Sequence, residues 1–309
     1  MVSEENTSAQ QHNHEFQVGG IDRQLSQEQQ LEQLSSYIHA HYEQPEKNPP
    51  WVSPPAQPSD PALADSYDAR LPDRLTHASM LMLGSALDHA MPGVAFADKV
   101  QLKAIPELNA QLFMPSTAES TNTQRWIITL HPGGWWKGSG VALENAWRPE
   151  VAAVAELSGI PCLDLDYPLL PEHNVDQVIA HVHTAVSWVR AQYPHIRLGV
   201  WGYSSGGALA SLCAELFDAQ ALTFPHLDLD MLPKQLRGTH ECTKTSTWPR
   251  TLFQLATYDE IAGSYPLVQQ AENVVVKTYV SHHRISTPEV ARQRVRDVAE
   301  FFNQTLGSC

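Results

Sequence analysis

The chain has 309 residues, 42% of them hydrophobic, with 34 acidic side chains against 20 Lys and Arg and a formal charge of −14. This length and apolar fraction suit one large folded unit with an appendage. The acidic balance argues against nucleic acid or an anionic membrane as the main partner. No apolar run approaches the ~20 residues needed to span a bilayer. The polar opening Met1-Val2-Ser3-Glu4-Glu5-Asn6 carries no secretory or transit pattern, so a soluble, cytoplasmic setting is expected. Cys162, Cys213, Cys242 and Cys309 form no C-x-x-C pair, which speaks against common zinc and redox motifs. Cys162 and Cys213 lie in apolar stretches and are expected to be buried free thiols.

Residues 1–20 are rich in Gln, Asn, Glu and Ser and are expected to form a disordered tail. From Ile21 to about Tyr42, Leu25, Leu31, Leu34 and Ile38 are roughly helically spaced. Prolines at positions 45, 49, 50, 54, 55, 58 and 61 then make a linker without regular structure. A second helix is predicted over 72–90, with Met80, Leu81, Met82, Leu83 and Leu87. Residues 21–95 thus read as a helical N-terminal segment with no strand pattern.

After residue 95 short apolar runs alternate with longer amphipathic ones. Strands are predicted at 100–105, 110–114, 126–130, 161–165, 198–201, 252–256 and 274–280, with helices near 144–158, 175–189, 208–217 and 287–306. Ser286 or Thr287 caps the last helix, with Pro288 and Glu289 in its first turn. Such alternation predicts an α/β fold with a mostly parallel sheet flanked by helices.

The strand Leu198-Gly199-Val200-Trp201 runs into Gly202-Tyr203-Ser204-Ser205-Gly206-Gly207 and then a small-residue helix. A serine on so sharp a turn has its hydroxyl lifted clear of the backbone, and only small residues fit two positions either side of it. Gly202 and Gly206 meet that need, which makes Ser204 the candidate nucleophile. The bland alternative is an ordinary glycine-rich turn, but the lysine and spacing of a phosphate loop are missing. Upstream, Trp126-Ile127-Ile128-Thr129-Leu130 runs into His131-Pro132-Gly133-Gly134-Trp135-Trp136. Acyl transfer builds negative charge on a carbonyl oxygen and needs backbone N–H groups already aimed at it. Pro132 has no N–H, so the oxyanion donors would be Gly133, Gly134 and Ser205.

Three segments in order resemble the bacterial hormone-sensitive-lipase-like esterases of the α/β-hydrolase superfamily. His131-Pro132-Gly133-Gly134-Trp135 resembles the family's H-G-G-G-W/F loop. Asp166-Tyr167-Pro168-Leu169-Leu170-Pro171-Glu172-His173 is similar to its D-Y-R-L-A-P-E-H segment, and Gly202 to Gly207 to its G-D-S-A-G-G elbow. The resemblance covers residues 96–309 and implies an α/β-hydrolase fold with a catalytic domain there. It makes 21–95 a cap-like segment. It also implies that His173 and Glu172 act structurally near the oxyanion loop. Pro132 and Tyr203 depart from the family pattern, and residues 218–250 are short, so any lid there is reduced.

The nucleophile needs an imidazole base oriented by a carboxylate, and this fold orders them Ser, Asp or Glu, His. The strand ending Thr257-Tyr258-Asp259-Glu260 offers Asp259, with Glu260 as fallback. The last strand leads to Ser281-His282-His283-Arg284-Ile285, where the family has H-G-F; matching Ile285 to that phenylalanine selects His283, with His282 as the alternative. His131 is expected to order the oxyanion loop. Trp135, Trp136 and Tyr203 are candidate substrate-binding residues, and Met80–Leu83 offers either pocket wall or plain packing.

The expected activity is hydrolysis of small to medium carboxylic esters through an acyl-enzyme, with no metal and no organic cofactor. Amidase or peptidase chemistry on the same triad, or a catalytically dead binding protein on this fold, remain the alternatives. The expected partner is a small-molecule ester, with no membrane span; a homo-oligomer is compatible with the pattern.

Overall fold

The computed structural model describes residues 25–84, 87–96, 98–117, 124–242 and 245–307. The expected tail, residues 1–20, lies outside them, as does Cys309. The strands are β1 (Gln101–Ile105), β2 (Ala110–Met114), β3 (Arg125–Leu130), β4 (Cys162–Leu165), β5 (Arg197–Tyr203), β6 (Ala219–Thr223), β7 (Arg250–Ala256) and β8 (Val274–Tyr279). They form one eight-stranded sheet in the order β1-β2-β4-β3-β5-β6-β7-β8. β2 is antiparallel to β1 and β4, and every other neighbouring pair is parallel. The expected α/β architecture is therefore the one observed.

Around the sheet lie α1 (Gln27–His41), α2 (Pro61–Ala69), α3 (Leu71–Met82), α4 (Arg148–Ser158), α5 (Val175–Gln192), α6 (Ser205–Leu212), α7 (Lys234–Arg237), α8 (Pro266–Gln269) and α9 (Pro288–Leu306). Alternate side chains of a strand point to opposite faces. Ile128 and Val200 accordingly join one buried cluster with Val182 of α5 and Leu209 of α6. Ile127 and Trp201 join another with Val151 of α4 and Phe302 of α9. Both faces of the central strands are dry, which is why these strands read as continuous apolar runs.

Local chemistry sets the helix starts. Ser26 with Gln29, and Asn174 with Gln177, close reciprocal capping boxes on α1 and α5. Thr287, of the two residues expected, accepts from the Val290 N–H at the start of α9. α1 and α3 do not stand apart as a separate layer. Their Leu31, Leu34, Ile38, Leu71 and Leu75 share a buried cluster with Ile285 and with Ala291 of α9.

The structure corrects the sequence reading in three places. α2, for which no helix was predicted, begins at the last residue of the expected linker, because the Asp60 carboxylate accepts from the Ala62 N–H and Pro61 fits a first turn. The helix predicted over 72–90 ends at Met82, with Gly84 beyond it at φ +88°. Third, the stretch expected to stay helical to residue 217 leaves its α-helix at Leu212 and is followed by β6, for which no strand was predicted.

Candidate active site

The relevant loops all leave the C-terminal ends of β3, β5, β7 and β8, where open parallel sheets place their ligand crevice. At the end of β5, Ser204 adopts φ 55° and ψ −116°, a left-handed conformation that costs energy for a non-glycine residue. Its N–H donates to Thr223 O on β6 at 2.9 Å, fixing the turn. A Cβ at Gly202 would sit 2.1 Å from Gly206 O, and one at Gly206 would sit 2.1 Å from Leu130 O. Both glycines are therefore dictated by the close approach of the elbow to itself and to β3.

His283 is buried, at 2% exposure. Its Nε2 lies 2.9 Å from Ser204 Oγ, and its Nδ1 lies 3.0 and 2.9 Å from the two Asp259 carboxylate oxygens. Asp259 Oδ1 also accepts from the Ile261 and Ala262 N–H groups. Burial acts to raise the Asp259 carboxyl, but the His283 hydrogen bond and charge and those two amides hold it below the usual carboxylate range. Glu260 does not reach the imidazole; its Oε2 accepts from the His283 backbone N–H at 3.1 Å. His282 points elsewhere, with Nδ1 3.1 Å from Tyr258 O, and it is partly exposed.

The loop after β3 is held by its own backbone. His131 Nδ1 lies 2.8 Å from Pro132 O, and Tyr167 stacks on the imidazole with ring centroids 4.0 Å apart while its hydroxyl donates to His131 O. Burial lowers the His131 pKa; Nδ1, facing the Pro132 carbonyl, donates to it, and Nε2 has no hydrogen-bond partner. The Leu170 N–H donates to Trp135 O, tying the Asp166–His173 segment to this loop. His173 Nδ1 lies 3.3 Å from Leu169 O within that segment.

Gly133 has φ +146°, and a Cβ there would lie 1.7 Å from Lys137 O. Its neighbour departs from expectation. The Gly134 N–H donates to Ser205 Oγ at 3.0 Å, so it holds the loop to the elbow instead of facing the space beside Ser204. This leaves Gly133 and Ser205, whose N–H is one of the orphan donors in the first turn of α6.

A cleft of about 850 Å³, including its open mouth, contains Ser204 and His283. Tyr203 lines it, and its hydroxyl donates to His283 O. Trp135 and Trp136 do not line it and correct the sequence reading. Trp135, at φ +75°, turns its ring into the same buried cluster as Leu130, Tyr167 and Leu170. Met80 and Leu81 are more than half exposed; the walls from α3 are Leu71, Pro72 and Leu75, two turns earlier. Sequence reasoning missed Asp68, Lys137, Glu150, Arg284 and Arg294, all of which line the cleft. The signal available was a run of charged residues adjacent to motif positions, Lys137 after the tryptophans and Arg284 after the histidine.

A family model described as the α/β-hydrolase fold matches residues 127–291, more than half of the chain and all three motif segments. The chain belongs to the α/β-hydrolase family. Among curated relatives it is similar to esterase LipU of Mycobacterium tuberculosis, 26% identical over 164 residues, covering 51% of this chain and 52% of that protein. It is also similar to carboxylesterase/phospholipase LipF of the same organism, 30% identical over 113 residues, covering 36% of this chain and 29% of that one. The matches thus span about half, or less, of the length of these relatives. Among solved structures, an esterase/lipase from an uncultured bacterium superposes with TM-score 0.61 at 14% identity, covering 90% of this chain and 99% of that chain. An esterase of the bacterial hormone-sensitive lipase family superposes with TM-score 0.58 at 17% identity, covering 92% and 100%. These hydrolases share the fold described above.

Among the described residues, no group of three or more His, Cys, Asp and Glu side chains is placed to hold a metal ion. No helix among them is long and apolar enough to cross a membrane.

Proposed function

We propose that the chain is a serine carboxylesterase that hydrolyses small to medium carboxylic esters through an acyl-enzyme. The observation that carries this reading is the position of His283, with Nε2 at 2.9 Å from Ser204 Oγ and Nδ1 at 2.9 Å from Asp259. In this reading His283 takes the Ser204 proton as the oxygen attacks the ester carbonyl, and Asp259 fixes the ring and stabilises the imidazolium that forms. The Gly133 and Ser205 N–H groups receive the oxyanion, while Gly134 holds the loop through Ser205 Oγ. His283 returns the proton to the departing alkoxide; water then repeats the sequence on the acyl-enzyme and releases the acid.

The family and the named esterase relatives support the same chemistry. A fluorophosphonate probe should label the protein covalently and should not label the Ser204→Ala variant. Turnover of nitrophenyl esters from acetate to decanoate should peak at short or medium chains. A chain that takes no label and turns over none of these esters is not an esterase.

A further inference from the structure

The cleft carries charge that ester hydrolysis does not require. Asp68, on α2, accepts from Arg284 Nη1 at 2.8 and 3.0 Å, from Lys47 Nζ at 2.8 Å, and from Lys137 Nζ. One carboxylate thus neutralises only one of three cations, in a chain whose net charge is −14. The nearby Asp65 carboxylate, one of whose oxygens accepts from the Ala142 N–H, acts electrostatically on Lys137 and offsets a second cation, so three cations still face only two carboxylates. Burial together with the Arg284 charge lowers Lys47 to about 8 and pushes Lys137 down as well.

A second pair lies against Tyr203. Arg294, 3% exposed, donates from Nη2 to Glu150 Oε1, and its guanidinium lies 5.1 Å from the Tyr203 ring centroid. Arg294 Nη1 is buried without a hydrogen-bond partner, and so is Glu150 Oε2. An orphaned buried donor is costly unless something fills its valence. This pair adds no net charge; the excess comes from the cluster around Asp68. The remaining wall is mostly apolar, including Leu71, Leu75, Met91 and Trp147. A low-dielectric wall around unbalanced cations focuses their field on the space within.

We propose that this cleft selects esters bearing a carboxylate on an apolar body, held by Lys137 and Arg284, with the unpaired Nη1 of Arg294 as a further donor. The inference rests on the esterase reading above and names its substrate class. Either the acid or the alcohol half can carry the carboxylate, and two pairs of substrates separate these cases. Mono-4-nitrophenyl adipate is compared with 4-nitrophenyl hexanoate, and 4-acetoxybenzoate with its methyl ester, with Ser204→Ala supplying the background rates. The expected result is a kcat/KM about tenfold higher for the anionic member in at least one pair. That ratio should fall toward one in Arg284→Gln or Lys137→Gln and on raising NaCl, which screens charge. Each ratio is taken within one protein, so partial loss of folded enzyme cancels. Turnover of neutral esters with ratios of one or below in both pairs overturns this inference and leaves the esterase reading standing. So does a preference that neither substitution nor salt reduces. No turnover of any ester and no fluorophosphonate labelling overturns both.

Discussion

Two adjacent histidines with the same side chain have opposite surroundings. His283 is buried between Ser204 and Asp259, whereas His282 lies at the surface against Tyr258 O. The difference comes from the loop: the His282 N–H donates to Ile285 O and Ile285 is buried with α1 and α3, so the chain is pinned on both sides of His283. His283→Ala should lower kcat by roughly 10⁶-fold. His282→Ala should stay within about threefold of the parent, the size of an ordinary surface substitution. Steady-state kinetics on both, with circular dichroism to confirm folding, checks the assignment; equal losses would refute it. Gly133 gives a second test at this scale. An alanine there meets Lys137 O and needs a left-handed φ, so the loop must move and take the Gly133 N–H with it. Gly133→Ala should cost ~10²–10³ in kcat while KM changes little, because the ground-state carbonyl depends less on that donor than the oxyanion does.

Among the elements, legibility follows how strongly local sequence determines structure. β3, β4 and β5 were readable because both faces of their central positions are buried and nearly all of those positions are apolar or small; the buried Asp164 is the exception, held by Thr129, Trp147 and Arg148. β6 was not, because Ala219-Gln220-Ala221-Leu222-Thr223 has neither alternation nor β-branched density. It is a strand by partnership: Gln220 Nε2 donates to Thr251 Oγ1 and Thr223 Oγ1 to Gln254 Oε1, both on β7. The motif residues Ser204, Asp259 and His283 were legible because an elbow and strand-end loops impose fixed residue types. The charged lining was not, since Asp68, Arg284 and Arg294 come together only through tertiary packing of α2, the β8–α9 loop and α9. Trp135 misled because a tryptophan beside a motif suggests a pocket wall, whereas its φ is set by the glycine turn before it.

The N-terminal helices test whether this packing matters to the site. Leu34 is fully buried in the cluster that also holds Ile285, two residues beyond His283. Leu34→Ala should destabilise by about 2–5 kcal/mol through lost burial and a residual cavity. If α1 supports the base loop, kcat should fall at temperatures where the protein is still folded, as judged by tryptophan fluorescence. Unchanged kcat with a lowered melting temperature would make α1 a stabilising element alone.

At the scale of the whole molecule, Asp68 joins three separate parts of the chain. It holds Lys47 before α2, Lys137 in the loop after β3 and Arg284 beside His283. Burial acts to raise its carboxyl, but Arg284, Lys137 and Lys47 outweigh that and hold it well below the usual carboxylate range. A folded-state value below the unfolded one, ~3.9 for an aspartate, means that the unfolded chain binds more protons as pH falls through that region. The stabilisation is therefore complete above the unfolded value and is lost as pH drops toward the folded one. Asp259 is shifted the same way and acts with the same sign. Urea midpoints measured at pH 7 and at about pH 2 should fall steeply on acidification for the parent chain, most of the drop coming below about pH 4. Asp68→Asn should lower the midpoint at pH 7, where three buried or half-buried cations lose their shared partner, and should flatten the drop between the two pH values. Parallel acid limbs for parent and variant would show that the Asp68 charge is not what couples the N-terminal segment to the loops around Ser204.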